Sequence, residues 1–213
     1  MPDLKELYDA ILTGNARKAE AVTKEALEAG TDATELLGKY MIPAMDEVGK
    51  RFECNEYFVP ELLIAARAMK TALQLLTPKL AAAGAKAVGR VVIGTVQGDL
   101  HDIGKNLVAS MLEGSGFEVV DLGVDVSPQK FVEAAMEADG TIVGLSALLT
   151  TTMTQMKAVV EALKKAGVRD KVKVIIGGAP ITQQYADEIG ADGYSDNASG
   201  AVSIARKLVG AGV

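Results

Sequence analysis

The fold is decided by the stretch Arg90-Val-Val-Ile-Gly-Thr-Val-Gln-Gly-Asp-Leu-His-Asp-Ile-Gly104, in which a β-rich apolar run passes directly into a polar loop and then into a helix. Similar apolar runs recur downstream, each followed by an amphipathic segment, at 117–121, 141–147, 172–177 and 193–195. Continuously apolar strands that alternate with helices are typical of a parallel sheet covered on both faces. We therefore predict an α/β fold with a five-stranded, doubly wound parallel sheet of the Rossmann or flavodoxin-like type over residues 87–213.

The first part of the chain has a helical pattern instead. Asp32, followed three residues later by Glu35, resembles a capping box at the start of a helix. Pro60 stands at the first turn of a long apolar-periodic run, where a proline is well tolerated. We predict four helices packed as a small antiparallel bundle over residues 1–86, with the domain boundary near Lys86.

Composition and charge exclude several classes of partner. The net charge is −6, divided as −2 over residues 1–86 and −4 over residues 87–213. Neither half offers the basic face that phosphates require, so we expect no nucleic acid partner. The single cysteine, Cys54, excludes an internal disulfide, and no segment has the character of a signal peptide or a membrane span. We expect a cytoplasmic protein with no membrane partner.

The one histidine of the chain lies where a doubly wound sheet binds its ligand. His101 follows the first predicted strand, and ligands in this class of fold lie outside the carboxyl ends of the strands. Asp99, two residues earlier, can accept a hydrogen bond from the imidazole and thereby hold one tautomer. The alternative is a loop histidine satisfied by a neighbouring aspartate, or an aspartate that caps the next helix.

A single histidine does not complete a conventional metal site. Zinc, non-haem iron and copper sites use three or four protein ligands, and the chain has no second histidine and only one cysteine. One histidine can still hold a metal when a macrocycle provides the remaining ligands. The residues therefore leave open a haem or a corrin with one axial protein ligand.

Three motifs, in order along the chain, resemble the signature of cobalamin-binding proteins. Asp99-Leu-His-Asp-Ile-Gly104 is similar to the D-x-H-x-x-G element of that family, Ser146-Ala-Leu148 to its S-x-L element, and Gly177-Gly178 to its glycine pair. The motifs fall at the carboxyl ends of the first, third and fourth predicted strands, and their joint occurrence is far more specific than any one of them. The resemblance implies a Rossmann-like cobalamin-binding domain.

The resemblance also implies roles for individual residues. His101 is the implied lower ligand of cobalt, in a base-off arrangement in which the benzimidazole of the cofactor has moved away. Thr152 stands where methionine synthase has the serine that completes a His–Asp–hydroxyl relay. The displaced nucleotide requires small or hydroxylic residues along its path. The implied cofactor-binding residues of this half are Gly94, Gly98, Asp99, Leu100, His101, Asp102, Ile103, Gly104, Ser146, Leu148, Thr150, Thr152, Gly177, Gly178 and Ala198.

The helical half resembles the cap of methyl-transferring corrinoid proteins. The segment from Val48 to Leu62 is similar to the cap segment of cobalamin-dependent methionine synthase and of stand-alone corrinoid proteins. In that resemblance Phe52, Val59 and Leu62 bind the cofactor by covering the upper face of the corrin. An apolar cover suits the chemistry because it excludes water from the reactive cobalt.

The function implied by the resemblance is that of a corrinoid methyl carrier in a methyltransferase system of the methylamine, methanol, methoxyarene or betaine kind. The implied cofactor is cobalamin, as methylcobalamin or cob(I)alamin. The implied partners are a substrate-specific methyltransferase, a second methyltransferase that delivers the methyl group to tetrahydrofolate or a thiol, and a reductive activase. The cofactor carries the chemistry, so we expect no catalytic residue in the chain itself.

Three alternatives from other classes have distinguishing features. An adenosylcobalamin mutase subunit would share the motif around His101 but lack apolar cap residues such as Phe52 and Val59. A B12-dependent sensor or regulator would carry a basic DNA-binding segment, which the charge distribution does not provide. A flavodoxin-like domain without a cofactor would fail to retain cobalt on reconstitution.

Overall fold

The computed structural model describes residues 3–84, 87–138 and 141–210. Contacts divide the chain into two compact units, Met1–Ala87 with Glu113–Gly116, and Val88–Leu112 with Phe117–Val213. The first unit is helical and the second contains the sheet. The predicted domain boundary at Lys86 lies outside the described residues and stays a prediction.

The first unit is built of helices, two of which start at a residue whose side chain caps them. Its helices are α1 (Lys5–Leu12), α2 (Ala16–Glu28), α3 (Ala33–Leu36), α4 (Ile42–Glu53) and α5 (Val59–Ala82). Asn15 caps α2, and Asp32 caps α3, by accepting hydrogen bonds from backbone N–H groups of the first turn. A π-helical turn, Leu37–Met41, joins α3 to α4, so these two helices form one continuous segment. Together with α1, α2 and α5, this segment makes the four helical segments that the sequence predicts, within the described residues. Among the described helices, none combines the length and apolar character needed to cross a membrane.

The sheet of the second unit is parallel throughout. Its strands are β1 (Arg90–Thr95), β2 (Glu118–Asp121), β3 (Ile142–Ser146), β4 (Lys173–Gly177) and β5 (Gly193–Tyr194). The helices that alternate with them are α6 (Ile103–Gly114), α7 (Pro128–Ala135), α8 (Thr154–Lys165), α9 (Gln183–Ile189) and α10 (Ala198–Leu208). The strand order is β2-β1-β3-β4-β5, and all pairings are parallel. This order is flavodoxin-like, and it confirms the predicted doubly wound α/β fold.

Strand register brings the three sequence motifs to one edge of the sheet. Thr95 at the end of β1 pairs with Ser146 at the end of β3, and Ser146 pairs with Gly177 at the end of β4. The loops that follow these residues therefore start side by side. Since β1 has β2 on one side and β3 on the other, the strand order reverses between β1 and β3, and this switch point is where doubly wound sheets bind ligands.

Gly94, the last residue but one of β1, is explained by the packing of its neighbours. A Cβ atom built on Gly94 would lie 2.9 Å from Cζ of Phe131 and 3.2 Å from Cγ2 of Val126. Phe131 on α7 is fully buried and belongs to the core under the sheet. The space beside Gly94 is thus filled by the protein core, which explains a glycine here without a ligand. Its predicted role in cofactor binding stays a prediction.

Candidate functional site

Three loops are tied together at the switch point. On one side, the loop after β1, residues 97–102, donates a hydrogen bond from the Gly98 N–H to Oδ1 of Asp125, in the loop after β2, at 2.7 Å. On its other side, Asp99 accepts from the loop after β3, where the Leu148 N–H lies 2.8 Å from Oδ2. Gly98 has a φ of +82°, a conformation that favours glycine and turns the chain out of β1.

Asp99 is the centre of the hydrogen-bond network. Its side chain is fully buried. Oδ1 accepts from the His101 backbone N–H at 3.0 Å and lies 2.7 Å from Nδ1 of the His101 ring. Oδ2 accepts from the Thr152 hydroxyl at 2.6 Å and from the N–H groups of Leu148 at 2.8 Å and Leu149 at 3.4 Å. The structure therefore brings His101, Asp99 and Thr152 into one hydrogen-bonded chain.

The network keeps the buried carboxyl group ionised. Burial by itself raises the pKa of Asp99, because it penalises the charged form. Hydrogen bonds from Thr152, from the Leu148 N–H and from His101 outweigh that effect and hold the pKa well below its usual range. An ionised Asp99 has only acceptors to offer, so the ring nitrogen that faces it, Nδ1 of His101, carries the hydrogen.

His101 presents its other ring nitrogen away from this network. The side chain is 51% exposed, and its backbone carbonyl accepts a hydrogen bond from the hydroxyl of Thr95 at 2.8 Å. With Nδ1 protonated and donating to Asp99, Nε2 carries the lone pair. This is the usual arrangement of a histidine that ligates a metal, in which a carboxylate fixes the tautomer and raises the basicity of the ligating nitrogen.

Exposed apolar side chains lie on the loops after β1 and β3 and at the first residue of α6. Leu100 is 72% and Ile103 81% exposed, and Leu148 and Leu149 are each 43% exposed. Large apolar residues so exposed beside a polar network are typical of a ligand-binding surface. Leu100, Ile103 and Leu148 are among the predicted cofactor-binding residues, whereas Leu149 is not, because its position depends on how the loop after β3 folds.

The glycine pair at the end of β4 is needed for close approach of two backbones. Gly178 has a φ of +136°, and a Cβ atom there would lie 1.8 Å from the carbonyl oxygen of Ala147. A Cβ atom on Gly177 would lie 3.1 Å from the carbonyl oxygen of Ser195. These contacts lie within the protein, so the glycine pair lets the loops after β3 and β4 pack together beside the network.

The other predicted cofactor-binding residues of the second unit lie near the carboxyl ends of the strands. Ser146 is half-buried at the end of β3, Thr150 is exposed, and Ala198 is buried at the start of α10. Asp102 accepts a hydrogen bond from the side chain of Asn106 at 3.1 Å, and Gly104 is exposed in the first turn of α6. None of these contacts Asp99 through a hydrogen bond in the described residues, and their roles stay predictions.

A buried lysine beside the motif was missed by the sequence analysis. Lys105, in the first turn of α6, is almost fully buried and pairs with Asp121 at the end of β2. Its Nζ also donates to Oδ1 of Asn106 at 2.6 Å. Lysine is rarely buried without a partner, so the sequence alone predicts a surface position. The ion pair fastens the start of α6 to the sheet.

The predicted cap residues lie in the helical unit. Phe52 on α4 is half-buried, Val59 at the start of α5 is 39% exposed, and Leu62 is fully buried. Phe58, Leu63 and Ile64 are more exposed than any of the three, at 60%, 46% and 47%. The assignment of Phe52, Val59 and Leu62 to the cover of a cofactor stays a prediction.

Comparison with known proteins shows to which class of protein the chain belongs. Residues 89–203 match the model of the B12 binding domain, and residues 3–77 match a second B12 binding domain model. Trimethylamine corrinoid protein 1 of Methanosarcina acetivorans is 47% identical over 203 residues, which cover 94% of each chain.

Solved structures that are similar to this chain belong to the same class of protein. A cobalamin-binding protein from Desulfitobacterium hafniense superposes with a TM-score of 0.81 at 37% identity, covering 98% of this chain and 99% of that chain. The methanol:cobalamin methyltransferase complex of Methanosarcina barkeri matches with a TM-score of 0.84 at 28% identity, over 99% of this chain and 81% of that chain. The chain belongs to the family of cobalamin-binding corrinoid proteins of methyltransferase systems.

Proposed function

We propose that the protein is a methyl carrier that binds cobalamin base-off and uses Nε2 of His101 as the lower ligand of cobalt. The observation that carries this proposal is the hydrogen-bonded chain from His101 through Asp99 to Thr152 at the switch point of the sheet. A half-exposed imidazole with one nitrogen fixed by a buried carboxylate has the other nitrogen prepared to give its lone pair to a metal.

The donor set fits a corrinoid. A corrin supplies the equatorial ligands of its cobalt, so one protein nitrogen is enough to complete the lower side. The exposed side chains of Leu100, Ile103, Leu148 and Leu149 offer an apolar surface against which the face of the ring and its methyl groups can pack. When bound, cobalamin supplies a cobalt that accepts a methyl group from one partner and gives it to another.

The residues of the network control a proton at Nδ1. Ligation of a metal by His101 makes its Nδ1–H more acidic, and the carboxylate of Asp99 accepts that hydrogen bond at 2.7 Å. Thr152 and the Leu148 N–H donate to the other oxygen and share the charge. The strength of the Asp99 hydrogen bond thus follows the charge on the imidazole, which couples ligand strength to the state of the metal.

The displaced nucleotide is proposed to follow the edge of β3 and β4. Ser146, Thr150, Gly177, Gly178 and Ala198 line this edge or its neighbour α10. Phe52, Val59 and Leu62 of the helical unit are proposed to cover the upper face of the ring. These assignments rest on the sequence resemblance.

The proposed partners are a substrate-specific methyltransferase, a second methyltransferase acting on tetrahydrofolate or a thiol, and a reductive activase. The 47% identity to a trimethylamine corrinoid protein favours a methylamine as the methyl donor. The bound cofactor would alternate between methylcobalamin and cob(I)alamin as the carrier visits its partners.

Reconstitution with cobinamide tests the proposed ligation. Cobinamide lacks the benzimidazole, so a nitrogen-ligated visible spectrum in its complex must come from the protein. Wild type is expected to give such a spectrum, and His101→Ala is expected to bind with a water-ligated spectrum that added imidazole converts back. A water-ligated spectrum in wild type, or an unchanged spectrum in His101→Ala, would overturn the proposal.

A further inference from the structure

We propose that Thr95 and Asp125 are positioning residues that fix the backbone of the His101 loop, so that the imidazole meets Asp99 and presents Nε2 in one orientation. Neither residue belongs to the motifs that define the family, and neither contacts the imidazole ring. This inference rests on the proposed role of His101 as a ligand. Its observable, however, is the state of the ring in the apoprotein.

Thr95 binds the loop through a hydrogen bond from the end of β1. It is the last residue of β1 and is fully buried, in a strand whose other interior residues are Val, Val, Ile and Gly. A buried hydroxyl costs free energy unless it is hydrogen-bonded, so valine would suit this position better if packing were the whole reason. The Thr95 hydroxyl donates to the backbone carbonyl of His101 at 2.8 Å.

The backbone of Thr95 is itself held firmly. Its N–H donates to the carbonyl of Gly123 at 3.0 Å, and its carbonyl accepts from the N–H of Val126 at 3.0 Å. A β-branched side chain also has a restricted χ1 angle. The hydroxyl is therefore a fixed point on the sheet rather than a mobile group, and it fixes the carbonyl of His101.

Asp125 holds the other end of the loop. Its Oδ1 accepts from the Gly98 N–H at 2.7 Å, and its own N–H donates to the carbonyl of Asp99 at 3.0 Å. Asp125 has a φ of +52°, a left-handed conformation that is uncommon outside glycine but is adopted by aspartate more readily than by most residues. Its side chain is exposed, so core packing does not account for its position.

Together the two side chains fix the loop without using any atom of the His101 ring. Asp125 fixes Gly98 and Asp99, and Thr95 fixes His101, which leaves the side chains of Asp99 and His101 free to bond to each other. A ligating group must be held within fractions of an ångström to bind a metal well, and its own side-chain bonds rarely suffice. The geometry therefore assigns the support to these two residues.

The chain offers matched variants for both positions. Thr95→Val removes the hydroxyl and keeps the shape, whereas Thr95→Ser restores a hydroxyl. Thr141→Val is the control, because Thr141 is also fully buried and its hydroxyl donates to the Ala138 carbonyl at 2.7 Å, before the start of β3 and away from the site. Asp125→Gly keeps the left-handed backbone and removes the acceptor, whereas Asp125→Asn keeps an acceptor oxygen.

The readout is nitrogen-15 NMR of the imidazole in the apoprotein, at a pH of about 8.5, well above the usual histidine pKa of about 6.5. His101 is the one histidine of the chain, so its ring signals need no assignment. Wild type, Thr95→Ser, Asp125→Asn and Thr141→Val are expected to show Nδ1 protonated and Nε2 free. Thr95→Val and Asp125→Gly are expected to show a mixture of tautomers, and about tenfold weaker cobinamide binding.

Each outcome decides the inference. A wild-type tautomer and wild-type cobinamide affinity in folded Thr95→Val and Asp125→Gly would overturn it and leave both residues as ordinary loop supports. Because Asp125 is exposed, Asp125→Gly carries the test even if Thr95→Val loses its fold. The two proposals can also fail separately. If these variants show mixed tautomers but the wild type never ligates cobalt, the positioning role is supported and the proposed function is refuted.

Discussion

Replacing Asp99 with asparagine tests the network at its centre. The two oxygens of Asp99 serve five donor groups: the N–H and Nδ1 of His101, the N–H groups of Leu148 and Leu149, and the Thr152 hydroxyl. An asparagine side chain has one oxygen and one NH₂ group, so one side of the network must lose its acceptor. The shape of the side chain is almost unchanged, which confines the perturbation to charge and hydrogen bonding.

The structure indicates which orientation the asparagine adopts. With its oxygen toward His101, both bonds from that residue survive, and the Thr152 hydroxyl can turn to the Leu149 carbonyl at 3.0 Å. The N–H groups of Leu148 and Leu149, which donate to Oδ2 at 2.8 Å and 3.4 Å, then face an NH₂ group and lose that acceptor. Loss of the shorter bond alone, to a charged acceptor, costs about 2–3 kcal/mol of unfolding free energy.

The affinity of the protein for cobalamin should fall as well. A neutral amide supports the imidazole less than a carboxylate does, and partners of a metal-ligating histidine typically change affinity by roughly 10–100-fold, which is about 1.4–2.7 kcal/mol. We expect Asp99→Asn to bind cobalamin that much more weakly while keeping the histidine-ligated spectrum. Titration of the apoprotein with cobalamin measures the affinity, and denaturant unfolding of the same preparation measures the stability.

A matched control separates stability from ligation. Asp192 accepts from the Val174 N–H at 2.7 Å and pairs with Arg169 at 2.8 Å, next to the start of β4 and far along the strands from His101. Asp192→Asn should lose stability and keep its affinity for cobalamin. Equal affinity and equal Co(II)/Co(I) potential in Asp99→Asn and wild type would refute the reasoning, and would show that Asp99 only organises its loop.

Three further predictions follow from the same contacts. Thr152→Val, which removes the hydroxyl from Asp99, should weaken cobalamin binding several-fold, and Thr152→Ser should restore it; equal affinities in a binding titration would refute the relay. Gly178→Ala, whose Cβ would meet the Ala147 carbonyl at 1.8 Å, should lower the unfolding free energy by about 2 kcal/mol or more, against about 1 kcal/mol for Gly167→Ala, which has open space. Because the folded pKa of Asp99 lies below its unfolded value of about 3.9, its contribution to stability is fully present above that value and is lost as the pH falls toward the folded pKa. The difference in unfolding free energy between wild type and Asp99→Asn should therefore not shrink between about pH 7 and about pH 5, and should shrink below about pH 4; a difference that shrinks near neutral pH would contradict the low pKa.

The strands and helices could be predicted because their signals are local. Each apolar run that predicts a strand contains the observed one, for example 90–96 against Arg90–Thr95, and 172–177 against Lys173–Gly177. The strand order could not be predicted in this way, because it depends on which strands pair. No local pattern encodes the position of β1 between β2 and β3. The alternation of strands and helices predicts a doubly wound sheet of the Rossmann or flavodoxin-like type, and the structure adds which strands are neighbours.

The site was predictable to the extent that its residues are close in sequence. Asp99 and His101 are two residues apart, so their contact follows from a single loop. Thr152 meets Asp99 across 53 positions, and only the resemblance to a known relay suggests the pair. The backbone N–H groups of Leu148 and Leu149 could not be predicted at all, because an N–H is present at both positions whatever the side chain and only the folded loop aims it at Asp99.

Buried polar groups were the most difficult to predict. Lys105 and Thr95 look like ordinary residues in the sequence, and their burial follows from partners contributed by other segments, Asp121 and the carbonyl of His101. Gly94 has a packing contact that the sequence does not show, since Phe131 occupies the space where a Cβ atom of residue 94 would lie, and its predicted role in cofactor binding stays a prediction. For Lys105 and Gly94 the deciding contact comes from another element, and for Thr95 it depends on how the loop after β1 folds.

Electron paramagnetic resonance of the cob(II)alamin complex tests the central proposal most directly. The lower axial nitrogen splits the cobalt lines into triplets when it is nitrogen-14 and into doublets when it is nitrogen-15. Protein labelled with nitrogen-15 histidine and loaded with unlabelled cobalamin is predicted to show doublets, and the label can only be at His101, the single histidine of the chain. Triplets would mean that the benzimidazole still occupies the lower position, and lines without splitting would mean that no nitrogen does; either result would contradict ligation by His101.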